Sequence, residues 1–285
     1  MKMTFGKTLA IAALLVPATV TGVTTTHAAE GGSYNSNAVV NFITSTDPTL
    51  PVDPENPDPT NPIVPIDPTN PEGPGEGTAG PLSIDFASSL QFGTSKITTK
   101  DEIYSAYAQE IELTSGTEYR PNYVQVTDNR GTEAGWTLQV TQERQLTSTA
   151  NKVLEGAVIT LGSSTVSTVA GSTVTAPSNV PSAIVLTPGT PAVVFSAQAQ
   201  EGSGVWLAKF GSSVGEKPTV MAGKDWKPGT EATETAEATL PTEFDVMRNS
   251  AVTLAVPGKA IKTQDQYSSS LIWSLSDVPT NSNED

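Results

Sequence analysis

The chain has no cysteine. That excludes disulfides, a thiol nucleophile and a lipidated N-terminal cysteine, and leaves the fold to rely on its own core. The single histidine, His27, falls in a segment expected to be removed, so the mature chain is expected to carry neither residue. Ser-His-Asp and Cys-His catalysis and ordinary zinc sites are then excluded. A carboxylate-only active site or an oxygen-ligand Ca²⁺ site stays open, but no D-x-D-x-D-G loop supports the second. No cofactor is expected. Basic residues are also scarce, with 15 Lys and Arg against 30 Asp and Glu. Without Lys2 and Lys7 of the leader, 13 basic residues face 30 acidic ones, a balance of −17. Such a chain repels nucleic-acid phosphates, and it has no purely electrostatic grip on anionic wall polymers or acidic lipid.

Long apolar runs are missing too. The run Leu9–Val16 is stopped by Pro17, too short for a spanning helix, so an integral membrane protein is not expected. With Lys2 and Lys7 before it and small residues after it, it has the pattern of a secretory signal peptide over residues 1–28. Cleavage after Ala28 puts Thr26 at the −3 position, and cleavage after Ala29 is nearly as acceptable.

Residues 29–46 hold a short β-like arm, SYNSNAVVNFI, in which Ala38, Val40 and Phe42 alternate as an apolar face. The arm is expected to add an edge strand to the β domain or to complete a neighbouring molecule's sheet. Residues 47–81 contain half of the 22 prolines, with acidic residues and no basic one. Prolines this dense favour an extended spacer, predicting a disordered Pro-rich acidic linker in which the D-P-x-x-P texture is low complexity.

From residue 82 to 285, runs rich in β-branched residues follow one another with Gly, Pro, Ser and Asn between them. They include LSIDF (82–86), YVQVTD (123–128), GWTLQVTQ (135–142), AVVFSAQ (192–198), GVWLAKF (204–210), AVTLAV (251–256) and SLIWSLSDV (270–278). This texture predicts an all-β domain, an antiparallel β-sandwich or barrel. Only IYSAYAQEIEL (103–113) has a helical look, and Trp226 sits in a polar KDWKP stretch that reads as loop.

Two of the four tryptophans share one tripeptide form: Trp136-Thr137-Leu138 in DNRGTEAGWTLQV and Trp273-Ser274-Leu275 in YSSSLIWSLSDVP. In a strand, Trp and Leu of each unit lie on one face. Alternation alone favours burial over an exposed sugar platform. Flanked as they are, these two segments resemble the paired motifs of bacterial WxL-domain proteins. The order of leader, arm, Pro-rich acidic segment and GPLSIDFASSLQFGTSKI is similar as well, and the likeness covers essentially the whole chain. One local departure is Glu133 in RGTEAGW, where related sequences often have Gly or a small polar residue.

The resemblance implies a noncatalytic surface protein of Gram-positive bacteria, attached noncovalently to the wall by binding peptidoglycan. It also implies assembly with a membrane-anchored partner protein and other WxL proteins, and it places the wall-retention motif on Trp136, Leu138, Trp273 and Leu275. Those four residues either touch the wall or hold the domain together. Covalent anchoring is not expected, because the nearest string to a sortase signal, Leu240-Pro241-Thr242-Glu243-Phe244, lacks Thr-Gly. The four arginines, Arg120, Arg130, Arg144 and Arg248, are candidates for pairing with peptide-stem carboxylates. For Arg130 a structural pair with Asp128 is preferred. An adhesin for a host or plant polymer and a carboxylate-dependent glycosidase are the competing readings.

Overall fold

From residue 82 onward the strand-forming texture becomes strand in the computed structural model, which describes residues 34–70, 72–113, 115–227 and 241–278. The signal peptide expected over 1–28 lies outside the described residues. In chain order the strands are β1 (Val64–Pro65), β2 (Leu82–Ala87), β3 (Glu102–Tyr107), β4 (Gln109–Leu113), β5 (Gly116–Arg120) and β6 (Asn122–Asp128). Then follow β7 (Trp136–Gln142), β8 (Thr147–Ser148), β9 (Val158–Gly162), β10 (Ser164–Thr168), β11 (Ala183–Val185) and β12 (Pro191–Ala197). The last are β13 (Gly204–Phe210), β14 (Val220–Lys227), β15 (Thr242–Val256), β16 (Tyr267–Ser268) and β17 (Leu271–Ser276).

All pairings are antiparallel. One sheet runs β10-β13-β6-β2, a second runs β11-β9-β15-β14 with β3 along the other edge of β15, and a third runs β12-β7-β17. Apolar residues of all three meet in one core, with Val124, Val126 and Trp206 from the first sheet, Leu161 and Val252 from the second, and Trp136, Leu138 and Phe195 from the third. This is the sandwich that the short alternating strands imply.

Strand β6 is buried at every position, which alternation alone does not foresee. Val124 and Val126 enter the main core, while Tyr123 enters a second cluster with Val52, Ile63, Phe86, Ile111 and Leu207. Val52 and Ile63 come from the Pro-rich segment. That segment is therefore not the disordered linker expected from its composition. It is a strap laid over the outer face of the β10-β13-β6-β2 sheet.

The physical reason lies in its repeats. Asp53-Pro54-Glu55-Asn56, Asp58-Pro59-Thr60-Asn61 and Asp67-Pro68-Thr69-Asn70 are successive turns. In each, the Asn N–H donates to the Asp carbonyl, at 3.1, 3.0 and 3.4 Å. The Asp side chain also accepts the N–H two residues on, at 2.9, 2.9 and 2.7 Å. Proline at the second position and Asp at the first are turn chemistry, not spacer chemistry.

Between and within these turns Val52, Pro54, Pro57, Ile63 and Pro65 are buried, and β1 joins the β4-β5 hairpin. The Val52 N–H donates to Gln125 Oε1 at 2.9 Å, and Gln125 Nε2 donates to the Leu50 carbonyl at 3.0 Å. Arg120 grips Asp53 with two hydrogen bonds, at 2.7 and 2.8 Å. Glu55 accepts from Lys209 at 3.1 Å and from the Ser213 N–H at 2.8 Å. Burial pushes both carboxyls up, but these partners outweigh it and hold Asp53 and Glu55 below the ordinary carboxylate range.

Beneath the strap, the β2–β6 ladder slips between Ile84 and Phe86, leaving Asp85 as the extra residue. The bulge turns its carboxylate inward, where Ser83, Gln125 and Thr127 donate to it. Burial is the stronger influence and raises the Asp85 pKa above its usual value.

Two further expectations change. Residues 103–113 form β3 and β4 rather than a helix, because helical propensity is a weak preference and β15 and β5 offer strand partners here. Trp226 lies in β14, not in a loop. The arm over 34–46 forms no strand, and Val40 and Phe42 are 71% and 89% exposed. Its apolar face is only three residues long, too little to hold a ladder by itself.

Candidate functional site

The two W-x-L units lie side by side. In the β7–β17 ladder Leu138 stands opposite Leu275 and Val140 opposite Trp273. Directly opposed residues share a face, so both units turn toward the main core. Trp136 and Leu138 are 0% exposed, while Trp273 and Leu275 are half-buried and pack against the same core. The other face of this ladder pairs Thr141 with Ile272, Gln139 with Ser274 and Thr137 with Ser276.

Trp136 is fixed on several sides. Its ring meets Phe195 edge-on at 4.8 Å and 88°, and its indole N–H donates to the Gly202 carbonyl at 2.9 Å. Gly202 has φ 72°, and a Cβ there would come 2.8 Å from the indole nitrogen. Ahead of Trp136, Arg130 donates to both carboxylate oxygens of Asp128, at 3.0 and 2.8 Å, and to the Gly135 carbonyl at 2.7 Å. The Asp128–Arg130 pair thus sets the turn that delivers β7.

Beyond the other end of β7 the chain continues into β8, and the residues just before β17 form β16. These two short strands pair, Thr147 with Ser268 and Ser148 with Tyr267. The Glu143 N–H donates to the Ser270 carbonyl at 2.9 Å, and Ser269 Oγ donates to the Arg144 carbonyl at 2.6 Å, so the link between the strand ends is continuous. Here lies a cavity of about 410 Å³ lined by Arg144, Thr147, Ser148, Thr149, Asn151 and Ser268. Thr149 Oγ1 donates to Asp265 at 2.6 Å. With the Ala150 N–H, this bond holds the Asp265 carboxyl down to about 2.

The four arginines separate clearly. Arg120 is held by Asp53, Arg130 by Asp128, and Arg248 by Asp225 and the carbonyls of Phe92, Ser105 and Lys224. The Arg144 guanidinium alone has no hydrogen-bond or ion-pair partner among the described residues. A second cavity, of about 260 Å³, is lined by Tyr104, Trp226, Lys224 and Arg248 among others. Its aromatic surface is already occupied, because Lys96 Nζ sits 3.5 Å from the centre of the Trp226 ring.

The sequence singles out the W-x-L residues, and the structure brings all four into one sheet. It names Arg144 only as one arginine in four. Thr147, Ser148, Thr149, Asn151 and Ser268 pass unnoticed, since short polar residues in turns carry no motif. Among the described residues no cluster of three His, Asp or Glu side chains is placed to hold a metal ion.

The repeated tripeptides thus belong to neighbouring strands of one β-sandwich and pack against its main core. The family model described as WxL domain, surface cell wall-binding, matches residues 29–279, and the chain belongs to this family. It is thus a cell-surface protein of a wall-binding family. No curated protein and no solved structure matches the chain. Among the described residues no helix is long and apolar enough to cross a membrane.

Proposed function

We propose that the chain is a noncatalytic surface protein, held noncovalently on the Gram-positive cell wall by binding peptidoglycan, and that it works within a surface protein complex. The observation that supports this most is the side-by-side packing of both W-x-L units against one core in a chain of a wall-binding family. Trp136 and Leu138 have no surface with which to touch a polymer. In this reading the W-x-L residues act by holding the sheet, and the wall meets groups that the sheet positions. The complex would be joined through the arm, where Val39, Val40, Phe42 and Ile43 are all largely exposed. Such a segment suits strand addition to a membrane-anchored partner or another WxL protein.

The test incubates purified protein with washed sacculi stripped of other wall polymers. Saturable binding without release of reducing sugars is expected. Release of sugar would turn the assignment to a glycosidase, and saturable binding only to a host or plant polymer would turn it to an adhesin.

A further inference from the structure

We propose that the cavity beyond the ends of β7 and β17 is the polymer-binding site, and that it takes a carboxylate flanked by amide and hydroxyl groups. This rests on the wall-binding reading above and gives that reading a place on the molecule. Guanidinium is the side chain best shaped for a carboxylate, which it meets with two parallel N–H donors. Among the described residues Arg144 is exposed at the cavity without a partner, whereas the other three arginines are tied to acidic side chains.

The rest of the lining has complementary chemistry. Thr147 Oγ1 donates to the Gln145 carbonyl at 2.8 Å, and Thr149 Oγ1 donates to Asp265 at 2.6 Å. Their hydrogens are committed to the protein, so both hydroxyl oxygens are left as acceptors for N–H or O–H groups of a ligand. The Asn151 amide and the Ser268 hydroxyl have no partner among the described residues and supply donors. Asn151 holds φ 60°, a conformation that asparagine tolerates and that fixes the lip of the cavity. One carboxylate site beside several acceptors for amide N–H and hydroxyl groups fits peptidoglycan, whose peptide amides are numerous, better than a phosphodiester backbone, which carries neither a carboxylate nor an amide. The carboxylate has two sources with this chemistry, a stem-peptide terminus and the lactyl group of the amino sugar.

This arrangement gives the W-x-L pairs a role at a distance. They set the register of β7 and β17, and that register sets how Arg144 and Ser268 come to line one cavity. Gln142, the last residue of β7, carries the connection, its Nε2 donating to the Arg144 carbonyl at 3.0 Å.

The test compares full-length wild type, Arg144→Ala and Asn151→Gly on stripped sacculi, and on sacculi whose carboxyls have been blocked as amides. Asn151→Gly removes the amide while keeping a left-handed backbone. Arg144→Ala is expected to bind about tenfold more weakly, the loss of one charge-assisted contact, with an unchanged melting temperature. Asn151→Gly is expected to weaken binding less, and wild type should fall to the Arg144→Ala level on blocked sacculi. Solubilised peptide-bearing disaccharides and peptide-free glycan strands then separate the sources, because only the one carrying the recognised carboxylate competes. Equal binding by wild type and Arg144→Ala overturns the site while leaving wall binding in place. So does a fall in the melting temperature of Arg144→Ala, or competition by a phosphate polymer alone. If wild type fails to bind stripped sacculi, the wall-binding reading fails and this site with it.

Discussion

The first W-x-L strand and the last carry the same tripeptide, lie in the same ladder and face the same core, yet they are not equivalent. β7 is the middle strand, paired on both sides, and its Trp and Leu are wholly enclosed. β17 is at the edge, and its Trp and Leu are half-buried. A repeated motif therefore marks a shared face and a shared partner, not a shared environment. What differs is the number of neighbours, and that depends on which other strands the fold brings alongside.

The largest effect that tests this contrast is Trp136→Ala, expected to cost about 3–5 kcal/mol of unfolding free energy in a denaturant titration. Trp273→Ala, already half in solvent, is expected to cost about half as much, roughly 1.5–2.5 kcal/mol. Equal losses would mean that β17 is enclosed as deeply as β7.

The strap offers a second contrast, since ion pairs of Asp53 and Glu55 add to its apolar packing, whereas the W-x-L residues rest on apolar packing without ion pairs. The folded pKa values of Asp53 and Glu55 lie below their ordinary values. Their stabilisation is therefore complete above the ordinary carboxylate range and is lost as pH falls through the folded values. Hydrogen exchange at the Val52 amide is expected to accelerate on acidification, relative to its intrinsic rate, before that of the β7 amides. At neutral pH, Asp53→Asn should cost about 1–2 kcal/mol, a range that allows for solvent screening of a partly exposed pair. Simultaneous loss of protection in strap and β7 would show that the strap belongs to the same cooperative unit.

Contact between the two motifs themselves is expected to be modest. A double-mutant cycle of Leu138→Ala and Leu275→Ala should give a coupling of about 0.5–1 kcal/mol, as for opposed residues in a ladder. Zero coupling would separate the strands energetically despite their register.

The smallest effect is expected from deleting residues 34–42. With no strand there and Val40 and Phe42 exposed, the melting temperature of the isolated chain should stay within the equivalent of about 0.5 kcal/mol. Retained stability with lost assembly would support an intermolecular strand, whereas a clear loss of stability would show that the arm is docked.

Much was legible in the chain before any fold was known. The alternation in Trp136-Thr137-Leu138 and Leu271-Ile272-Trp273-Ser274-Leu275 determined which residues share a face, because side chains in a strand alternate whatever lies beside it. The preference for an Asp128–Arg130 pair was legible because two residues across one turn are near each other in any conformation of that turn. Even the strap was written locally, since D-P-x-N is a turn signal, although the density of proline reads more readily as a spacer.

Only the tertiary structure decided that β7 and β17 are neighbours, that Tyr123, Gln125 and Thr127 are as buried as Val124 and Val126, and that Arg144 is the one arginine without a partner among the described residues. Each of these depends on a partner far away in the chain: Leu275 for Leu138, Val52 for Gln125, Ser268 for Thr147. A sequence fixes the periodicity of its own strands through short-range sterics. Which strand lies beside which, and hence what is covered and what is left open, is settled by the burial of apolar surface across the whole domain.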